Sequence, residues 1–297
     1  MKFLEEKLEK QYGTEITKKI IEGYQTKRKT TLRINTIKSN IEEIKNELEK
    51  EKIEYETVKW SKEALIIKNA DEKSIQEMEI YKNGKIYLQS LSSMLPPIIL
   101  EPKEGTDILD MAAAPGGKTT QIAAITNNKA HITACEKNKI RAERLKYNVD
   151  KQGATCVFIM PKDSRFIDDF FSFDQILLDA PCSGSGTLDY NDANIEKYFT
   201  EQLIERSSKT QKTLLIKAIK LLKPGHEMVY STCSILSCEN EDVVASVIKN
   251  GNIEIVPINF DGMEELPVLP TKIQGTLCVK PTDLYEGFFV AKIRKNK

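Results

Sequence analysis

Residues 108–119, Ile108-Leu-Asp-Met-Ala-Ala-Ala-Pro-Gly-Gly-Lys-Thr119, read as an apolar strand, a tight turn of small residues and a helix start. Such a turn lets the backbone approach a ligand closely, and the helix N-terminus offers unpaired N–H groups to a carboxylate or phosphate. Neither Gly-x-x-x-x-Gly-Lys nor Gly-x-Gly-x-x-Gly occurs, which disfavours a nucleoside triphosphate and a dinucleotide respectively. Downstream, short apolar strands at 107–111, 131–136, 156–160, 175–179, 228–231, 253–258 and 288–293 alternate with helices at 117–126, 139–151, 200–222 and 240–250. That alternation predicts an α/β domain with a mostly parallel, doubly wound sheet and helices on both faces.

Upstream, the chain is rich in lysine and glutamate. Helices are expected at 2–11 and 15–25, then a strand at 30–35. An amphipathic helix follows at 39–50, with Ile41, Ile44 and Leu48 at helical spacing and Ser39 or Asn40 as cap. Strands at 55–60, 64–68 and 85–89 and a helix at 74–80 complete a β-α-β-β-α-β order, the pattern of a small split-βαβ domain. Pro96-Pro97 and the stretch 101–105 interrupt the pattern, placing the boundary between an N-terminal α+β domain (1–100) and a catalytic domain (101–297).

The 297 residues include 44 Lys and Arg against 44 Asp and Glu, so bulk charge announces no nucleic-acid partner. No run is long enough to span a membrane, and the charged start is unlike a signal peptide. Six cysteines form no C-x-x-C pair, which argues against zinc. A reduced, cytoplasmic protein with free thiols is expected.

Several residues around the turn suit an adenosine-containing ligand with an amino-acid tail. The turn itself supplies Ala112, Ala113, Ala114, Pro115, Gly116, Gly117 and Lys118. Glu136, at the end of the second strand, is placed to accept hydrogen bonds from ribose hydroxyls, although a solvated strand-end acid is also possible. Asp163, after the third strand, could face an adenine amine, and Asp179, at the end of the fourth, is counted with the cofactor contacts. S-adenosylmethionine fits this set better than a dinucleotide. Cys182, in Asp179-Ala-Pro-Cys-Ser-Gly-Ser-Gly186, and Cys233, in Ser231-Thr-Cys-Ser234, each close an apolar run, where open α/β sheets put their chemistry. Cys135, Cys156 and Cys238 read as structural.

These motifs, with Leu32-Arg-Ile-Asn-Thr36, Gln89-Ser-Leu-Ser-Ser-Met94 and Gly287-Phe-Phe-Val-Ala-Lys292, resemble the Nop/Sun (NSUN) family of RNA (cytosine-5) methyltransferases over residues 30–294. The resemblance implies a Rossmann-like S-adenosylmethionine-dependent methyltransferase. It implies Cys233 as nucleophile, Cys182 as the cysteine that assists release, Asp179 at the base edge and Lys118 pointing into the site. Proline-cysteine carries the nucleophile in DNA cytosine methyltransferases, so the residues alone leave the two roles open. Lys118 is also the best candidate for the charge that would lower a thiol pKa from about 8.5, the alternative being exposure at the helix start.

The compact architecture resembles archaeal-type transfer RNA enzymes. A ribosomal RNA enzyme and a catalytically silent RNA-binding assembly factor are the alternatives. Lys27-Arg28-Lys29, Arg33 and the basic tail 292–297 are candidate RNA contacts, on surface-like charge alone. A monomer is expected, though no residue pattern fixes it. The sequence departs from the family at Ala112, where cysteine is usual, and at Cys278, where arginine is frequent.

Overall fold

The computed structural model describes residues 1–248 and 252–297. Helices α1 (Lys2–Tyr12) and α2 (Thr14–Gln25) lead into β1 (Thr31–Ile34), α3 (Ile41–Lys50), β2 (Tyr55–Val58), β3 (Ser61–Ile67), α4 (Glu72–Glu77), α5 (Glu79–Lys82) and β4 (Ile86–Leu88). The four strands form an antiparallel sheet in the order β2-β3-β1-β4. Asn40, not Ser39, caps α3, its side chain accepting from Glu43 N. The helix expected at 74–80 is two short helices, because Met78 between them has extended backbone.

Period-two alternation sorts this sheet's faces. Leu32, Ile34, Leu65, Ile67 and Ile86 meet Ile44 and Leu48 of α3 and Ile75 of α4 in a small core. Ala64 and Ile66, on the other face, join the core of the large domain. Helices α1 and α2 also pack on the large domain. Leu4, Leu8, Tyr12, Ile20 and Tyr24 share a core with Leu109, Ile176 and Tyr230.

Helix α6 (Leu91–Leu100) runs through Pro96 and Pro97, so these prolines do not interrupt the pattern as the sequence suggests. A proline at 97 removes the N–H that would bond the Ser93 carbonyl. Gln89 Nε2 donates to that carbonyl instead, at 3.1 Å.

The large sheet comprises β5 (Asp107–Asp110), β6 (His131–Cys135), β7 (Val157–Met160), β8 (Phe173–Asp179), β9 (Leu222–Thr232), β10 (Ile253–Val256), β11 (Leu277–Val279) and β12 (Phe288–Lys295). Its order is β10-β12-β9-β8-β5-β6-β7, with β11 beside β12. The run β7-β6-β5-β8-β9 is parallel and β12 is antiparallel to both neighbours. This is a Rossmann-like doubly wound sheet with an antiparallel strand near one edge. Strand β10 stops before Pro257, which has no N–H for a ladder.

Helices α7 (Gly117–Ile125) and α8 (Lys139–Gln152) join α6 on one face. On the other lie α10 (Glu201–Leu221), preceded by the short α9 (Ile195–Tyr198), and α11 (Glu241–Ile248). The last residues of the helix expected at 240–250 lie outside the described residues. Alternate strand residues serve the two faces: Leu109, Ile176, Leu178 and Tyr230 one, Ile108, Leu177 and Val229 the other. Among the described residues no helix is long and apolar enough to cross a membrane, and no group of three or more His, Cys, Asp or Glu could hold a metal.

Two of the candidate RNA contacts, Arg33 and Lys292, are corrected by their burial. Arg33 lies on the face of β1 turned toward α7, where it is 3% exposed. Its Nε donates to Gln89 Oε1 at 3.1 Å and its Nη2 to Thr120 Oγ1 at 3.0 Å. The tail 292–297 is largely strand β12. Lys292 is buried against Glu101 and Glu227, and Arg294 pairs with Glu227 and Glu254. Cys278 is likewise packed in the core, 3.8 Å from the Tyr12 hydroxyl.

Candidate active site

Strands β8 and β9 are parallel and pair Asp179 with Ser231. The chain leaves both strands at the same level, so residues just beyond each end come together. Cys182 and Cys233 meet there, with 3.0 Å between their sulfurs, and both are free thiols. Gly186 N donates to Cys233 O at 2.9 Å, and Gly287 N to Gly186 O at 2.7 Å. A Cβ on Gly186 would lie 1.9 Å from Gly287 O, so only glycine permits this approach.

The N-terminal helices brace these loops. Tyr12 OH and Gln11 Nε2 donate to Ile235 O, at 2.6 and 3.0 Å, and Tyr24 OH donates to Ser185 O at 2.5 Å.

Lys118, in the first turn of α7, reaches Asp179 Oδ2 at 2.7 Å and donates to Ser93 Oγ at 2.8 Å. Its ammonium lies 5.3 Å from the centre of the Phe288 ring. Ser231 Oγ donates to Asp179 Oδ1 at 2.8 Å. Burial opposes the Lys118 charge, but Asp179, Cys233 and Asp110 outweigh it and hold its pKa above the ordinary lysine value. Lys118 is therefore an inward-facing cation rather than an exposed helix-start lysine. The Cys182 thiol is pushed well above the usual cysteine range by its hydrogen bond to Cys233, by burial, and by the charges of Cys233 and Glu239.

Two cavities meet at these residues. One, of about 220 Å³, is lined by Ala112, Ala114, Glu136, Asp163, Asp179, Cys182 and Cys233 among others. The other, a cleft of about 690 Å³, is lined by Ala113, Pro115, Gly117, Lys118, Gln89, Ser93, Arg28, Lys29 and Phe288 among others. Ala112, Ala114, Asp179 and Cys233 line both. The expected cofactor residues thus divide. Ala112, Ala114, Glu136, Asp163 and Asp179 face the smaller cavity, while Ala113, Pro115, Gly117 and Lys118 face the cleft, and Gly116 lines neither. Gly116 makes the turn, with a φ of 111° as N-cap of α7.

Two residues that sequence reasoning missed hold the turn in place. Arg141 Nη2 donates to Ala114 O at 2.8 Å and Asn148 Nδ2 to Pro115 O at 2.7 Å, both from α8. Arg141 Nε also lies 3.5 Å from Glu136 Oε2, and Asn138 N donates to Glu136 Oε1 at 2.8 Å. The buried Glu136 keeps acceptor capacity toward the cavity. Asp163 accepts from Arg165 Nη2 at 2.6 Å, and this partner holds its carboxyl below the usual range. Asp110, also missed, is fully enclosed at the end of β5, accepting from Thr119 Oγ1 at 2.7 Å. Burial raises its pKa to about 6.

A doubly wound sheet whose strand ends carry a glycine turn, a cavity rimmed by Glu136 and Asp163, and a pair of free thiols is the architecture of an S-adenosylmethionine-dependent methyltransferase. The chain belongs to the RsmB/F family: residues 97–294 match the family described as 16S rRNA methyltransferase RsmB/F, and residues 2–72 match its ferredoxin-like domain. The family's enzymes are S-adenosylmethionine-dependent RNA cytosine-5 methyltransferases, and this chain is one of that class.

It is 37% identical over 275 residues to the tRNA (cytosine(49)-C(5))-methyltransferase of Pyrococcus abyssi, a match that covers 89% of this chain and 88% of that one. It is 34% identical over 277 residues to the ribosomal RNA small subunit methyltransferase F of Shewanella sp. (strain ANA-3), covering 90% of this chain and 56% of that one. Among solved structures, a methyltransferase homolog protein from Pyrococcus horikoshii superposes with a TM-score of 0.84 at 33% identity, covering 96% and 92% of the two chains. NSun6 from Pyrococcus horikoshii with SFG gives 0.86 at 25% identity, covering 99% and 98%.

Proposed function

We propose that the chain methylates carbon 5 of a cytosine in transfer RNA through a covalent bond between Cys233 and the base, with Cys182 assisting release. The contact that carries this reading is the pair of free thiols 3.0 Å apart at the wall shared by the two cavities. The smaller cavity suits the methyl donor, with Glu136 and Asp163 toward the nucleoside. The larger cleft suits the target nucleotide, with Arg28 and Lys29 among its lining for phosphate contact. We assign residues 1–100 to an RNA-binding platform and 101–297 to catalysis.

Carbon 5 of cytosine is a poor nucleophile. Addition of the Cys233 thiolate to carbon 6 breaks the 5,6 double bond and turns the ring into an enamine, so carbon 5 becomes reactive. S-adenosylmethionine, when bound, would supply the methyl group that carbon 5 takes up, its S–CH3 bond breaking to leave the neutral thioether S-adenosylhomocysteine. Asp179, fixed by Lys118 and Ser231, faces the base edge near ring nitrogen 3. Elimination then passes the carbon 5 proton to a base, breaks the carbon–sulfur bond and restores the double bond. Cys182, held as a thiol, hydrogen-bonds the departing Cys233 sulfur.

Cys233→Ala abolishes both methylation and adduct, whereas Cys182→Ala accumulates an enzyme–RNA adduct on denaturing gels. The reverse pattern overturns the assignment of roles. Transfer RNA is favoured because the match to the archaeal tRNA enzyme extends over 88% of that protein, against 56% of the ribosomal one. Bisulfite sequencing of total RNA from a deletion strain tests the substrate. A signal lost only from ribosomal RNA establishes the alternative.

A further inference from the structure

Glu239 is a wholly buried acid at the end of a short 3-10 turn, Ser237–Glu239, and no Lys or Arg pairs with it among the described residues. A carboxylate in such a place must be satisfied by hydrogen bonds. Its Oε1 accepts from Ser183 N at 2.7 Å and Gln211 Nε2 at 3.2 Å. Its Oε2 accepts from Ser183 Oγ at 2.5 Å and Ser234 Oγ at 2.7 Å. Ser183 follows Cys182 and Ser234 follows Cys233. Gln211 Nε2 also donates to Pro181 O at 3.0 Å, so the carboxylate grips the chain on both sides of Cys182.

We propose that Glu239 is the positioning residue that sets the separation of Cys182 and Cys233, one side chain tying the residue after each. The inference rests on the roles proposed for these cysteines. Both loops leave in-register strands, but nothing in the ladder itself fixes their side chains beyond Asp179 and Ser231. A second bridge, Ser185 Oγ to Ser234 Oγ at 2.8 Å, runs into the same carboxylate. Ile235 N donates to Ser185 Oγ and Leu236 N to Ser234 Oγ, so the backbone after Cys233 is oriented by this network as well. Glu239 also adds to the negative surroundings that keep the Cys182 thiol protonated.

Glu239→Gln tests the assignment with little change in volume. One amide orientation sets its NH2 against the obligate donors Ser183 N and Gln211 Nε2, and the other forces both serine hydroxyls to reverse. Phenylarsine oxide provides a readout that needs no RNA: its arsenic takes two As–S bonds from a close thiol pair, and the oxygen leaves with both protons as water. The expected result is a folded variant with wild-type KM for RNA, a kcat lowered about 100-fold by misplacement of reacting groups, and loss of one-to-one arsenical capture. Glu239→Asp should recover part of both.

Capture must be absent in Cys182→Ala and Cys233→Ala, which shows that the probe reads this pair. A folded Glu239→Gln that retains wild-type capture overturns the inference, whatever its kcat. Lost capture without the expected adduct pattern in the cysteine variants upholds the spacing role and overturns the roles of the cysteines. If Glu239→Gln does not fold, Ser183→Ala and Ser234→Ala carry the test. Each removes one contact, and unchanged capture and kcat in both overturn the inference.

Discussion

Lys118 Nζ lies 2.7 Å from Asp179 Oδ2, joining the first turn of α7 to the end of β8 where the two cavities meet. The pair is only partly exposed, and Ser93 and Ser231 satisfy one further bond on each side. Lys118→Met keeps most of the aliphatic stem but leaves Asp179 without its cation. We expect a methyl-transfer rate 10²–10³-fold lower at saturating substrates, on the order of removing one preorganised electrostatic group. The stability loss should be about 1–3 kcal/mol, below that of a fully enclosed pair because Asp179 keeps some solvent access. Single-turnover kinetics and urea unfolding measure both. A rate within experimental error of wild type would remove Lys118 from the mechanism.

Asp110 makes a prediction about pH. Burial raises its folded-state pKa from 3.8 to about 6, so the native protein holds this proton more tightly than the unfolded chain. The stability it contributes is fully present below pH about 3.8 and is lost as pH rises through 6. Two pKa units correspond to about 3 kcal/mol at most. Asp110→Asn, which retains an acceptor for Thr119, should therefore gain stability relative to wild type between pH 4.5 and pH 7.5. Urea unfolding of both proteins at the two pH values checks this, and a difference that is flat with pH contradicts it.

The strand-turn-helix at 108–119 and the alternation after it were legible because strand and helix periodicities are local. The path β10-β12-β9-β8-β5-β6-β7 was not, since pairing of β12 between β9 and β10 depends on partners far along the chain. Arg33 and Lys292 carried charge in the sequence, and charge alone suggests surface. Their burial follows from partners at Gln89, Thr120, Glu101 and Glu227, none of them near in sequence. Helix α6 ran against the usual meaning of two prolines because one glutamine side chain replaces a lost backbone donor. In the site, the cysteines, Asp179 and the turn stood out through their motifs. Glu239 did not, since its oxygens act on residues 28 and 56 positions away.

Glu136 carries the nucleoside end of the methyl-donor site in our reading. It is 5% exposed, with one oxygen taken by Asn138 N and the other near Arg141. Hydrogen bonds to a charged acceptor contribute roughly 1.5–3 kcal/mol. Glu136→Ala should weaken S-adenosylmethionine binding by about 10–100-fold while leaving RNA affinity unchanged. Calorimetric titration with S-adenosylmethionine, and a filter-binding assay with transfer RNA, separate the two. Equal weakening of both would show instead that the substitution disturbs the shared wall of the cavities.

Gln89 ties the N-terminal sheet to helices α6 and α7. Its Oε1 accepts from the buried Arg33, and its Nε2 donates to Ser93 O and to Gln121 Oε1 at 3.1 Å. Gln89→Leu leaves the Arg33 guanidinium without this acceptor and Ser93 O without the donor that stands in for Pro97. Unsatisfied buried groups cost about 1–3 kcal/mol each, and more when one is charged. We expect a total loss of about 2–5 kcal/mol in urea unfolding, with two groups left unpaired. Arg33 is already strained electrostatically: burial lowers its pKa to about 10, partly offset by Tyr87 and Glu63. Arg33→Met in the Gln89→Leu background removes the stranded cation, so the double variant should be more stable than Gln89→Leu. A double variant less stable than either single one would mean that Arg33 is held by Thr120 and Gly117 O well enough to need no help from Gln89.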